Sequence, residues 1–242
     1  NTAAQGARWR GAGGGPCDVM VDTGINRLGV SPDEVRGGLL DGLAIDTVMS
    51  HLACADEDSA TNERQRAAFA GLADAVGAAR RSLANSAGIA LGPDYRFDLT
   101  RPGLALYGGV PRREFGQLIR QVVYPQAQVL QVRSVPAGER VGYNATWTAP
   151  VDTRVAVLNI GYADGYCRGF SGVGEAWAGD ARLPVIGRVS MDLVTVDATA
   201  ADVAEGDWVT IGFDVAVASA ASGMSPYELL TRLGPRFDRV WV

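Results

Sequence analysis

Five polar residues stand where chemistry could be done. Arg27, His51, Asn85, Ser86 and Arg101 each lie just after a short apolar run that reads as a strand. On sheets made of alternating strands and helices, reacting groups gather at the carboxyl ends of the strands. The stretch Phe97–Gly108 adds a second clue in Arg101-Pro102-Gly103. Pro102 has no amide hydrogen for a strand ladder, and Gly103 permits a turn. Amides of such a turn can cradle an anion such as phosphate. Arg101 stands beside them as a permanent cation. Taken alone, Arg101 is as well explained as a charge beside a structural turn, and His51, the only histidine, as a packing residue.

Composition narrows the chemistry. The chain has 242 residues with a net charge of -5, which is no footprint for nucleic acid. No apolar run approaches the ~18 residues of a membrane span. Cys17, Cys54 and Cys167 are odd in number and scattered without metal-ligand spacing. They read as reduced thiols of a cytoplasmic protein, and no metal site is expected. The first 15 residues are polar and Gly-rich, with no apolar core of a signal peptide. All 22 basic residues are arginine. Without lysine, no side chain here can form a Schiff base through an ε-amine.

The elements that must hold these residues change style along the chain. Strands are expected at Cys17–Val21, Leu43–Met49, Ser82–Asn85 and Phe97 onward. Between them, Ser31-Pro32-Asp33-Glu34 is a capping box opening a helix to about Leu40. Asn62–Leu83 carries apolar residues at helical spacing, and a short helix follows from Ser86. This alternation predicts a parallel sheet. From about Leu118 the pattern becomes dense short strands at Val122–Val135, Arg140–Trp147, Arg154–Ile160, Leu183–Val189, Leu193–Val196 and Trp208–Phe213. A second capping box, Ser225-Pro226-Tyr227-Glu228, opens a helix to about Leu233, and Phe237–Val242 is expected to close as a strand. The expected domains are 1–117, α/β, and 118–242, mostly antiparallel β. Four strand signals are half of what a (β/α)8 barrel needs, and half a barrel leaves open edges.

Seven motifs, in order, resemble alanine racemases, the fold-type III enzymes that use pyridoxal 5'-phosphate (PLP). They are Val21–Gly29 (VDTGINRLG), Ser50–Ala53, Ala84–Ala87, Arg101–Gly108, Val141–Trp147, Ile160–Tyr166 and Gly187–Asp192. The resemblance covers the later part of that family's length. It implies the second half of a (β/α)8 barrel followed by a C-terminal β domain. It also implies that the segment bearing the PLP lysine is absent from this sequence, so the chain alone should be inactive.

The resemblance assigns roles residue by residue. Tyr143 matches the base on one face of the substrate carbon, and the missing lysine would serve the other. His51 and Arg101 match the relay that supports the phenol, Arg101 facing the PLP ring nitrogen. Ser86 and the amides of Gly103 and Leu104 match the phosphate cradle. Arg27 matches the residue touching the PLP phenolic oxygen and the substrate carboxylate. Met191, through its amide, and Asp192 also meet that carboxylate, and Tyr162 matches an entrance tyrosine. Asp164 and Gly165 read as turn formers. The implied partners are alanine and a second copy of the chain, in a homodimer with shared sites. Two departures stand out. Met20 sits where the family often has a lysine that supports the arginine, and Asn144 sits where it usually has Gly. The alternatives are a non-catalytic remnant that binds a phosphate ligand or partner chain, and a racemase of the same fold for serine or other amino acids.

Overall fold

The computed structural model describes residues 1–241. It contains two compact units. One comprises Asn1–Leu106 and Val110–Ile119, the other Tyr107–Gly109 and Arg120 to the C-terminus.

The first unit is built on a parallel three-stranded sheet, in the order β1 (Pro16–Met20), β2 (Ala44–Met49), β3 (Arg80–Ser82). Its register aligns Met20 with Met49 and Met49 with Ser82. The loops after all three strands therefore leave the sheet at one edge. Helix α1 (Ala3–Gly11), capped by Thr2, buries nothing. Helix α2 (Pro32–Arg36) starts at the capping box expected from Ser31 and Glu34. Helix α3 (Ala60–Val76) packs its Phe69, Leu72 and Ala73 inward. Phe69 meets Phe97 edge-to-face at 5.0 Å. Val19, Val21, Val30, Val48 and Leu83 complete this core.

Three expectations for this unit need correction. Helix α3 stops at Gly77, whose φ of 68° is left-handed; a glycine there ends a helix at little cost, so it does not run on to Leu83. The expected strand from Phe97 does not form. Phe97 itself has φ 49°, and both the Asp98 and Leu99 amides donate to the one carbonyl of Arg81. The chain there turns across the end of β3, leaving a lone bridge between Asn85 and Arg101. The third strand begins at Arg80 and ends at Ser82 rather than Asn85.

The second unit is antiparallel, as its sequence predicts. Its strands are β4 (Gln126–Val135), β5 (Arg140–Val141), β6 (Trp147–Thr148), β7 (Thr153–Leu158), β8 (Glu175–Ala178), β9 (Ala181–Pro184), β10 (Val194–Asp197) and β11 (Trp208–Ile211). Six of them run β10-β7-β4-β11-β8-β9, and β5 pairs only with β6. A bridge from Val185 to Val196, with the Ile186 amide on the Thr195 carbonyl at 2.9 Å, joins the two outer strands. The sheet thus closes on itself, which removes its exposed edges. Val129, Ala156, Leu158, Leu183, Val196 and Phe213 fill it. Tyr166 stacks on Phe170 at 4.2 Å.

Strand β8 and helix α4 (Val215–Ser222) were not foreseen. Helix α5 (Pro226–Arg232) begins at the second capping box. The strand expected over Phe237–Val242 is absent from Phe237 to Trp241, and Val242 lies outside the described residues. Arg236 instead ties this segment to two acidic side chains.

Candidate functional site

In the first unit the loops after β1, β2 and β3 carry the candidates. Asp22 builds the first loop. Its Oδ1 accepts hydrogen bonds from the amides of Gly24, Ile25 and Asn26 at 2.8, 3.1 and 3.1 Å. A carboxylate bound to successive amides fixes a turn, and this one delivers Arg27 to an exposed position. Met20 offers no charge to Arg27; its carbonyl accepts the Val30 amide at 2.9 Å. The three amides on Asp22 shape the backbone of the loop that carries Arg27.

The second loop is held from behind. Gln65 on α3 is 1% exposed. Its Oε1 accepts the Ala53 amide at 2.8 Å, and its Nε2 donates to the His51 carbonyl at 2.9 Å and to Thr23 Oγ1 at 3.4 Å. Thr23 and Ser50 share a hydrogen bond of 2.7 Å between their hydroxyls. One buried amide side chain therefore ties the Arg27 loop to the His51 loop. Gln65 had a signal in the sequence: it lies four residues before Phe69, a polar side chain on the apolar stripe of α3.

Arg101 is half-buried. Its Nη1 donates to Ser82 Oγ at 2.5 Å and its Nη2 to the Ser50 carbonyl at 2.6 Å. Ser82 Oγ donates in turn to the Leu99 carbonyl at 2.7 Å. Burial pushes the Arg101 pKa down, while arginine still keeps its proton at any physiological pH. The His51 pKa is also pushed down, first by burial and then by the charges of Arg101 and Arg27. Two cations thus lie within electrostatic reach of one imidazole and add to burial in disfavouring its charged form. Ser86, 2% exposed, accepts the amides of Gly103 at 2.8 Å and Ala105 at 3.3 Å on its Oγ. Leu104, also buried, opens the turn that follows. The structure so brings Arg27, His51 and Arg101 together, and joins Ser86 to the Gly103 turn.

The second unit gathers the remaining candidates on adjoining loops. Tyr143 opens a tight turn between β5 and β6 and is 68% exposed. Asn144 has φ 61° and ψ 12°. Asn is one of the few residues that adopt this left-handed form readily, so the turn survives where Gly is usual. The backbone of Gly142, just before it, lies against Gly187 and Arg188. Farther on, the Tyr162 amide donates to the Ser190 carbonyl at 3.0 Å, and the Ala163 amide to the Met191 carbonyl at 2.9 Å. A Cβ on Gly161 would lie 2.3 Å from the Met191 carbonyl oxygen; only glycine allows that approach. The Tyr162 ring faces the Arg168 guanidinium at 5.2 Å. Met191 is more than half exposed, and Asp192 is bound by Arg236.

Asp164 is more than a turn former. It is buried, caps the Gly161 amide at 2.8 Å through Oδ2, and meets Arg236 Nε through Oδ1 at 3.2 Å. Among the described residues, no group of three His, Cys, Asp or Glu could hold a metal, and no helix is long and apolar enough to cross a membrane.

Two family models match the chain. The family described as "Alanine racemase, N-terminal domain" matches residues 3–111, and "Alanine racemase, C-terminal domain" matches residues 122–241. An alanine racemase of Acidiphilium cryptum is 44% identical over 97% of this chain and 70% of its own length. A catabolic alanine racemase of Agrobacterium fabrum is 44% identical over 93% of the chain and 61% of its own. Among solved structures, alanine racemase from Bartonella henselae with covalently bound pyridoxal phosphate matches with a TM-score of 0.89 and 34% identity. The match covers 100% of this chain and 72% of that one. The biosynthetic enzyme of Pseudomonas aeruginosa gives 0.87 and 34% over the same shares. The chain thus spans about two thirds of the length of the curated relatives it matches.

Proposed function

Since the chain belongs to the alanine racemase family, we propose that its residues form the later part of a PLP-dependent enzyme interconverting L- and D-alanine. In this reading residues 1–117 are the second half of the barrel and 118–242 the β domain. The protein works in the cytoplasm as a homodimer with shared sites.

One observation carries the reading. The loops after β1 and β2 bring Arg27 and His51 to the sheet edge where Arg101 is held on Ser50 and Ser82, and burial and the two cations push the imidazole pKa down. Among the described residues, Arg101 pairs with the neutral oxygens of Ser82 and Ser50. Its charge is left for a ligand with a lone pair or negative charge. The buried Ser86 hydroxyl beside the Gly103 turn adds the polar group a phosphate needs. The residues present fit PLP.

When bound, PLP supplies an electron sink for charge developing at the substrate carbon. This chain's residues do the rest. Ser86 and the Gly103–Leu104 turn hold the phosphate, the Ser86 O–H donating to it while its Oγ keeps the Gly103 amide. Arg101 keeps its proton and donates it as a hydrogen bond toward the ring nitrogen, which restrains side reactions. Arg27, the Met191 amide and Asp192 orient the substrate carboxylate, and Tyr162 lines the entrance. Tyr143 moves the α-proton at its phenolic oxygen on one face. With an ordinary pKa of ~10, that phenol needs hydrogen-bond support. An uncharged imidazole can accept one hydrogen bond and donate another, as a relay between phenol and Arg101 requires, and the lowered His51 pKa favours that form.

The opposite face needs an amine, and these 242 residues contain no lysine. It must come from outside them. The test is to assay the 242-residue chain with PLP, and then the same chain joined to whatever its gene encodes upstream. D-alanine is expected to form from L-alanine only in the second case. Racemisation by the first would refute the assignment of the second base. None in either would refute the racemase reading. A substrate panel on the active form then tests alanine against serine.

A further inference from the structure

Three segments of the second unit meet at the turn Gly161–Gly165. On one side the Ser190 and Met191 carbonyls accept the Tyr162 and Ala163 amides. On the other, a Cβ on Gly165 would lie 2.3 Å from the Arg232 carbonyl oxygen, so the end of α5 rests directly on the turn. Both approaches are backbone to backbone and leave no room for a side chain. One side chain spans all three segments. Arg236 Nη1 donates to Asp192 Oδ1 at 2.7 Å, and its Nε lies 3.2 Å from Asp164 Oδ1. Asp164 Oδ2 is already committed to the Gly161 amide at 2.8 Å, so the carboxylate cannot swing to follow a moving arginine.

A guanidinium suits this position because its nitrogens are fixed in one plane and can address two carboxylates at once. Asp164 is buried and anchored, whereas Asp192 is exposed. The anchored carboxylate holds the arginine, and the arginine holds the exposed one. Exposed ion pairs taken singly stabilise little. Here the pair gains its effect by joining an exposed carboxylate to a turn held by backbone contacts.

We infer that Arg236 is a positioning residue: it fixes Asp192, and with it the Met191 peptide, relative to Tyr162. The inference deepens the reading above, in which Asp192, Met191 and Tyr162 face the substrate. Arg236 itself touches none of the reacting atoms.

The test has two arms. In the 242-residue chain, amide hydrogen exchange is compared for unaltered protein, Arg236→Gln and Arg236→Lys. Arg236→Gln is expected to speed exchange of the Tyr162 and Ala163 amides about fivefold or more, while the amides of β7 keep their rates. Arg236→Lys is expected to recover part of the protection, since one ammonium holds one carboxylate at a time. In the full-length enzyme, Arg236→Gln is expected to raise KM for alanine about three- to tenfold, with kcat within about twofold. Unchanged exchange at Tyr162 and Ala163 would overturn the inference. So would equal acceleration in β7, which would mark a general folding role. So would a fall in kcat at unchanged KM. If the unaltered full-length enzyme proves inactive on alanine, the racemase reading fails, and the exchange arm alone decides the role of Arg236.

Discussion

Replacing Gln65 with leucine tests how the first unit holds its site. The side chain is 1% exposed and makes three hydrogen bonds, to the Ala53 amide, the His51 carbonyl and Thr23 Oγ1. Leucine has a similar volume, so packing changes little, but the partners are stranded. A buried polar group left without a partner costs about 1–3 kcal/mol. The Thr23 contact is long, and Thr23 keeps Ser50 as a partner at 2.7 Å, so two groups count. Both stranded groups are only part-buried, so of the roughly 2–6 kcal/mol that two buried groups would cost, about 2–4 kcal/mol is expected. At a urea dependence of about 2 kcal/mol per molar, the unfolding midpoint falls by about 1–2 M. Because His51 is the only histidine, its ring C–H signals report on this unit without overlap in proton NMR. The same signals should shift in the folded variant, as the His51 carbonyl has lost its anchor. A loss below about 0.5 kcal/mol, with the ring signals unmoved, would refute the tie between the two loops.

Two further outcomes follow from the same geometry. Arg101→Met should raise the His51 pKa, yet leave it below the ordinary value, because burial is the larger cause; a proton NMR titration of the single imidazole reads this, and an unmoved titration counts against the cluster. A histidine depressed in the folded state favours folding above the unfolded pKa of about 6.5 and loses that contribution as pH falls from there through its lowered folded pKa, so unaltered protein should lose more stability below about pH 6.5 than Arg101→Met does. Gly161→Ala would drive a methyl to 2.3 Å from the Met191 carbonyl oxygen. It should cost about 1–3 kcal/mol and free the Tyr162 and Ala163 amides to exchange, whereas normal protection there would show that the two backbones do not touch.

What the sequence revealed and what it hid have distinct physical causes. Local signals were reliable where one residue dictates one conformation. Ser31 with Pro32 and Glu34, and Ser225 with Pro226 and Glu228, cap helices α2 and α5 as read. Residues after the strands reached one edge because the register of a parallel sheet aligns strand ends. The expected strand at Phe97 failed because the carbonyl of Arg81 captures the chain there, a contact between distant residues that apolar patterning cannot show. Strand β8 was missed because Glu175–Ala178 is only four residues long, EAWA, with no alternation and no β-branched residue, yet the sheet includes it between β11 and β9. At the site, motif order pointed to Arg27, His51, Ser86 and Arg101. The residues that support them carry no motif. Gln65 and Ser82 are ordinary polar residues until the fold buries them, and Arg236 acts across a separation of 44 positions from Asp192.

In the proposed reaction Tyr143 delivers or removes a proton on one face of the substrate carbon while an amine from outside these residues serves the other. The direct measurement is racemisation, together with α-hydrogen exchange in heavy water, by the full-length enzyme carrying Tyr143→Phe. Losing a positioned base should slow racemisation about 10²–10⁴-fold, while one enantiomer of alanine still exchanges its α-hydrogen at the face the amine serves. Racemisation of both enantiomers at an unaltered rate would contradict the claim.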